Sequence, residues 1–95
     1  MLKPKEFKAD KAITLPSGKI AETREGTARD WMNAQKAVVG DNNPMAAIYA
    51  LIAELVQIDG KQIVYEEVIE MNLKDFMVLQ AEVLGQNFPG PPQPA

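Results

Sequence analysis

Three groups of side chains in this sequence have types and spacings that could do chemistry. Glu66, Glu67 and Glu70 bring three carboxylates together and could hold a cation. No second ligand cluster accompanies them, and a solvated helix face accounts for the run equally well. Asp41, Asn42 and Asn43 have the composition of a calcium loop. An EF-hand beginning at Asp41 needs glycine at its sixth position and glutamate at its twelfth, and those positions hold Ala46 and Ile52. Lys3, Lys5, Lys8 and Lys11 could meet phosphate, but Glu6 and Asp10 interrupt them and Pro4 breaks the run. Cysteine and histidine are both absent. That removes disulfides, Cys/His metal sites, histidine bases and the Ser-His-Asp triad together. No nucleophile-and-base constellation remains. The chemistry left is recognition, so the expectation is a partner-binding protein without a cofactor and not an enzyme.

The elements must position such a binding surface within 95 residues, enough for one small domain. Hydrophobic residues are 46% and charged residues 24%, which suits a folded chain. Aromatics are only 6%, so the core has to rest on aliphatic side chains. Residues 1–40 carry 8 basic against 5 acidic side chains, and residues 41–95 carry 2 against 8. The acidic part could steer a basic partner or simply solvate helix faces. The N-terminus lacks an apolar signal core. The longest apolar run is nine residues, 45–53, whereas a membrane span needs about 20. A cytoplasmic chain with no membrane partner is expected.

Ile13 and Leu15, then Pro16-Ser17-Gly18, then Ile20 read as a β-hairpin over residues 12–24. Ile13, Leu15 and Ile20 are the side chains expected to lean on helices. Thr27 with Asp30 three residues on marks a helix start, and Gly40 a stop. Trp31, Ala34 and Val38 share that helix's inner face. Asn43 and Pro44 begin a second helix expected to run to about Ile58. Only Glu54 is charged in its first twelve residues. A helix apolar nearly all round either packs centrally or presents surface to a partner. Lys61–Val64 reads as extended, and residues 65–70 as one or two helical turns with Val68 and Ile69 inward. Asn72 caps a last helix with the apolar stripe Leu73, Phe76, Met77, Val83 and Leu84, interrupted by Gln80 and stopped by Gly85.

The fold class expected is therefore α+β: an N-terminal β-hairpin packed on a small bundle of three main α-helices. Residues 1–10 read as a flexible basic arm, 11–88 as one globular domain and 89–95 as a disordered proline-rich tail. The P-x-x-P matches Pro89/Pro92 and Pro91/Pro94 have no flanking basic residue, which weakens an SH3-ligand reading.

Three segments in this order resemble a known family, the small tail assembly chaperones of tailed bacteriophages and their prophages, the Mu-like group in particular. They are Ile13-Thr14-Leu15-Pro16-Ser17-Gly18-Lys19 leading into Arg24-Glu25-Gly26-Thr27; the helix with Thr27, Asp30, Ala34 and Gln35; and Leu73 to Gln80 preceded by Gly60-Lys61 and Tyr65-Glu66. Together they span about residues 12–88. Gly26 departs from the pattern, which has proline before the helix.

The resemblance implies a chaperone in the host cytoplasm, absent from the mature virion. It would bind the helical tape-measure protein and keep it soluble until the tail-tube protein assembles. A client helix would then lie in a groove between the second and last helices, against Ile48, Tyr49, Ile52, Leu55, Phe76, Leu79 and Gln80. A homo-oligomer would cover the same apolar surface. The five Met residues suit an adaptable binding face. The alternative is a small nucleic-acid-binding regulator using Lys3, Lys5, Lys8, Lys11, Arg24 and Arg29, which the net charge of −3 argues against.

Overall fold

The computed structural model describes residues 7–88. The first part of the basic arm, with Lys3 and Lys5, and the proline tail 89–95 lie outside the described residues. The architecture is α+β, a four-stranded antiparallel sheet with four helices. The elements in chain order are β1 (Lys11–Thr14), β2 (Ile20–Thr23), α1 (Ala28–Ala37), α2 (Ala46–Leu55), β3 (Val56–Ile58), β4 (Lys61–Gln62), α3 (Tyr65–Ile69) and α4 (Leu73–Asn87). Strand order in the sheet is sequential, β1-β2-β3-β4.

The first hairpin closes through the Leu15 amide donating to the Lys19 carbonyl, with Gly18 at φ +94. Leu15 is buried as expected and Ile13 is half-buried, but Ile20 is 43% exposed. The inward residues of β2 are Ala21 and Thr23. The reason lies across the sheet. Ala21 pairs with Ile58 and Thr23 with Val56, so β2 is an inner strand whose small side chains fit under the helices. The end of the expected arm is tied to this hairpin: the Asp10 amide donates to the Thr23 carbonyl, and Asp10 Oδ2 accepts from the Glu25 amide at 2.7 Å.

The second helix ends at Leu55, three residues before the expected Ile58, and the chain passes directly into β3. Val56 and Ile58 are β-branched, and the open edge of β2 supplies hydrogen bonds that a helix would have to forgo. Asp59 (φ 50) and Gly60 (φ 81) then make a tight turn into β4. Two successive positive φ values match the twist of a hairpin. All three of the last helical carbonyls of α2 find side-chain or strand partners. Gln62 Nε2 donates to the Ala53 carbonyl, Arg24 Nη2 to that of Glu54, and the Arg24 amide to that of Leu55.

Helix α2 is the centre of the molecule. Ala50, Leu51, Ile52, Ala53 and Leu55 are buried among Leu15, Ala34, Val56, Ile63, Val68, Leu79 and Val83. The start of α2 lies two residues after Pro44, so its N-cap is Met45, without a side-chain cap bond, and not the expected Asn43; Asn43 Oδ1 accepts from the Met45 amide at 2.9 Å in the turn before the helix. Helix α1 carries the expected cap: Thr27 Oγ1 accepts from the Asp30 amide, and Asp30 Oδ2 accepts from the Thr27 amide at 2.8 Å. In α3, Val68 faces inward but Ile69 faces out. Helix α4 runs through Gly85 to Asn87.

Candidate functional site

Two polar pins fix how α4 rolls against the body. At its start Asn72 Oδ1 accepts from the Lys74 amide, and Asp75 turns inward to accept from the Ser17 amide at 3.0 Å. At its end Asn87 Oδ1 accepts from the Gly26 amide at 2.6 Å, while Asn87 Nδ2 donates to the Val83 carbonyl. Between the pins, Asp75, Leu79 and Val83 form the buried line at i, i+4 and i+8. The opposite line is Leu73, Met77, Ala81 and Gly85, flanked by Leu84, while Phe88, just past the helix, lines a hollow with Gly26, Trp31, Leu51 and Leu55. Leu73 is 71% exposed and Met77 56%.

The face of α4 turned to solvent is therefore apolar. Lys74 is its only charged residue, since Asp75 points into the body and Glu82 is half-buried in an ion pair with Lys11 at 2.9 Å. The stripe legible in the sequence straddles the edge of the core instead of facing it. Phe76 and Leu84 are half-buried, Val83 is buried, and Leu73 and Met77 are open.

Beside this face, between α3 and α4, lies an apolar hollow of about 160 Å³ lined by Tyr49, Val68, Ile69, Met71, Leu73 and Phe76. Its floor is held by an edge-to-face contact of Tyr49 and Phe76, with ring centroids 5.3 Å apart at 85°. Ile69, half of it exposed, forms the rim.

The seven residues expected to meet a partner fall into three groups. Tyr49 and Phe76 come together in the hollow. Ile48 and Gln80 are half-buried outside it. Ile52, Leu55 and Leu79 are fully buried, a correction to the expected groove. Being enclosed by α1, α3, α4 and the sheet, α2 does not wall a groove along its length. Ile69, Met71, Leu73 and Met77 were missed as partner surface. Leu73 and Met77 were visible as apolar, but nothing local reveals which way α4 rolls.

A larger cleft of about 510 Å³ is lined by residues that include Ser17, Lys19, Asp59, Lys61, Glu67, Glu70 and Asp75. Three of its four carboxylates are already engaged in the fold. Asp59 Oδ1 accepts from the Ile20 amide, Glu67 Oε1 from the Val64 amide and Asp75 Oδ1 from the Ser17 amide. Among the described residues no group of three or more Asp, Glu, His or Cys side chains is arranged to hold a metal ion.

The strongest electrostatic coupling lies between Arg24 and Asp30. Arg24 Nη1 and Nη2 donate to Asp30 Oδ2 and Oδ1 at 2.9 and 3.0 Å. Hydrogen bonding to Arg24 overcomes burial and holds the Asp30 carboxyl far below the ordinary carboxylate range; the same bond raises the Arg24 pKa. Arg24 also lies 5.7 Å from the centroid of the Phe7 ring. Two of the six cations expected to meet nucleic acid, Arg24 and Lys11, are thus consumed in ion pairs.

No protein-family model, curated protein or solved structure matches the chain. No helix among the described residues is long and apolar enough to cross a membrane.

Proposed function

We propose that this chain is a tail assembly chaperone of a tailed bacteriophage or prophage, acting without catalysis in the host cytoplasm to keep the helical tape-measure protein soluble. The observation that carries this reading is the exposed apolar surface of Ile69 and Leu73, with half-buried Met71 and Phe76 beside them, around the hollow between α3 and α4. An amphipathic client helix offers side chains at i, i+3, i+4 and i+7, and one or two of them fit a hollow of that size. Met71 and the nearby Met77 can repack against differing client side chains. Glu66 and Glu67 on α3 and Glu70 just after it are exposed on the segment that supplies Ile69, and their negative charge favours a client helix with basic flanks.

Co-expression with the tape-measure protein encoded in the same genome tests the reading. The intact chain should raise the soluble fraction of that client and co-purify with it. Ile69→Asp with Leu73→Asp should abolish both effects while leaving the circular dichroism spectrum unchanged, because both side chains already face water. A client equally soluble with and without the chain would refute the proposal.

A further inference from the structure

The hollow between α3 and α4 has the size and lining for one kind of side chain. We infer that it seats a single phenylalanine ring of a partner segment whose flanking residues are basic, an inference that rests on the reading of the hollow as partner surface. Val68 and Ile69 come from the end of α3, Met71 follows it, Leu73 and Phe76 belong to the first turn of α4, and Tyr49 reaches in from α2. None of these side chains is charged. The volume is about 160 Å³. An apolar cavity of about 150 Å³ holds one benzene molecule. The hollow therefore has room for one phenyl group and not for two.

The lining favours an aromatic over an aliphatic occupant. Tyr49 and Phe76 meet edge to face, with centroids 5.3 Å apart at 85°. Such a pair uses one face of one ring and one edge of the other, so a third ring can extend it. Met71 is half-buried in the same hollow and brings a polarizable sulfur, which favours aromatic neighbours. A leucine would bury apolar area there but would meet neither preference. Ile69 on α3 and Leu73 on α4 are 50% and 71% exposed and have surface left for the ring to cover.

Charge chooses the flanks. Residues 65–76 carry Glu66, Glu67, Glu70 and Asp75 against Lys74. Asp75 is buried and held by the Ser17 amide, which leaves Glu66, Glu67 and Glu70 exposed with Lys74 on the stretch that forms most of the hollow. Lysine or arginine beside the anchor is attracted to that surface and aspartate or glutamate is repelled, more strongly at low ionic strength. Lining and charge together specify an aromatic residue in a basic stretch. The hollow is open to solvent, so a lone ring binds weakly, with a dissociation constant on the order of 1–10 mM.

Capped tripeptides test this: acetyl-Lys-Phe-Lys-amide, acetyl-Lys-Leu-Lys-amide and acetyl-Glu-Phe-Glu-amide, each titrated to roughly 20 mM into the full chain and followed by methyl NMR. Lys-Phe-Lys should shift the methyl resonances of Ile69, Met71 and Leu73 saturably, upfield by the ring current. It should bind about 2–10-fold more tightly than Lys-Leu-Lys. At low salt it should also bind at least about 3-fold more tightly than Glu-Phe-Glu, a difference that shrinks in about 1 M salt. Phe76→Leu keeps an apolar side chain but removes a ring, and should bring the Phe and Leu peptides level. Equal affinity of these two peptides for the wild type overturns the aromatic anchor, and should Phe76→Leu fail to fold, that comparison decides alone. Equal affinity of Lys-Phe-Lys and Glu-Phe-Glu overturns the basic flanks. No saturable shift at Ile69, Met71 or Leu73, or shifts confined to the hollow around Trp31, overturns the site. The peptides carry no phage sequence, so the ring can bind while the tape-measure protein is not solubilised, and the reverse.

Discussion

The Asp75 carboxylate on α4 accepts a hydrogen bond from the Ser17 amide at the tip of the first hairpin, across 58 residues of chain. This bond fixes the roll of the last helix. It draws a charged side chain inward to 3% exposure, and Leu73 and Met77 are turned out as a result. The surface assigned to partners thus depends on a polar contact in the body. Asp75→Ala leaves a partly buried amide without its acceptor and should cost about 1–2 kcal/mol. Asp75→Asn keeps an acceptor and should cost less. Urea midpoints measure both, and faster hydrogen exchange at the Ser17 amide in Asp75→Ala identifies the lost contact.

Arg24 and Asp30 give a pH-dependent prediction. The folded-state pKa of Asp30 is depressed, so its contribution is complete above the unfolded carboxylate value of about 4 and is lost as pH falls toward the folded value. Wild-type stability should therefore keep falling below about pH 4, and Asp30→Asn should flatten that part of the profile. At neutral pH the substitution removes one partner of a buried pair and should cost about 3 kcal/mol. Urea unfolding at a series of pH values tests both the slope and the size.

What the sequence made legible was local. Thr27 and Asp30 sit three residues apart and cap one another, and Pro16, Ser17 and Gly18 form their own turn. Asn72 likewise caps α4 from its neighbouring position. Nothing local announces β3, because Val56, Gln57 and Ile58 continue the apolar run of α2, and what turns them into a strand is the open edge of β2 more than thirty residues earlier. Asp59-Gly60 is a hairpin signal that reads as a helix stop unless that strand is known. Gly85 does not end α4, since the Phe88 amide still donates to the Leu84 carbonyl at 2.9 Å. The stop comes with Phe88, which takes an extended conformation (φ −113, ψ 125), as residues before proline do. The candidate site was half legible. Tyr49 and Phe76 were found as apolar groups on successive helical faces, whereas the burial of Ile52, Leu55 and Leu79 follows from tertiary packing that encloses α2.

Gly26 precedes the Thr27 cap of α1, and its surroundings account for glycine at this position. Its amide donates to Asn87 Oδ1 at 2.6 Å, a bond proline cannot make. A Cβ at this position would lie 3.0 Å from Leu55 Cδ2 and 3.1 Å from Leu55 Cδ1, and Leu55 is enclosed by the core. Gly26→Pro should cost about 2 kcal/mol or more through the lost bond and the crowding together. Gly26→Ala keeps the bond and should cost about 1 kcal/mol. Thermal unfolding of the two variants separates the contributions, and the residue-26 amide should stay protected from exchange in Gly26→Ala, which keeps the bond to Asn87 Oδ1.

Ile52 and Leu73 are similar side chains with opposite fates, and together they decide how partner binding has to be probed. Ile52 is fully enclosed at the centre of α2, so Ile52→Ala removes buried methyl groups and leaves a cavity, at about 2–5 kcal/mol. Leu73 lies at the start of α4 with most of its surface in water, so Leu73→Ser should change stability by no more than about 0.5 kcal/mol. Chemical denaturation of the two variants should differ by at least about 1.5 kcal/mol, and equal losses would mean that α4 is rolled differently against the body. An aspartate at Ile52 or Leu79 would bury an unpaired charge and unfold the chain, so lost client binding there would say nothing about a surface. Ile69, Leu73 and Met77 tolerate charge because water already reaches them, and loss of binding at these positions reports the contact itself.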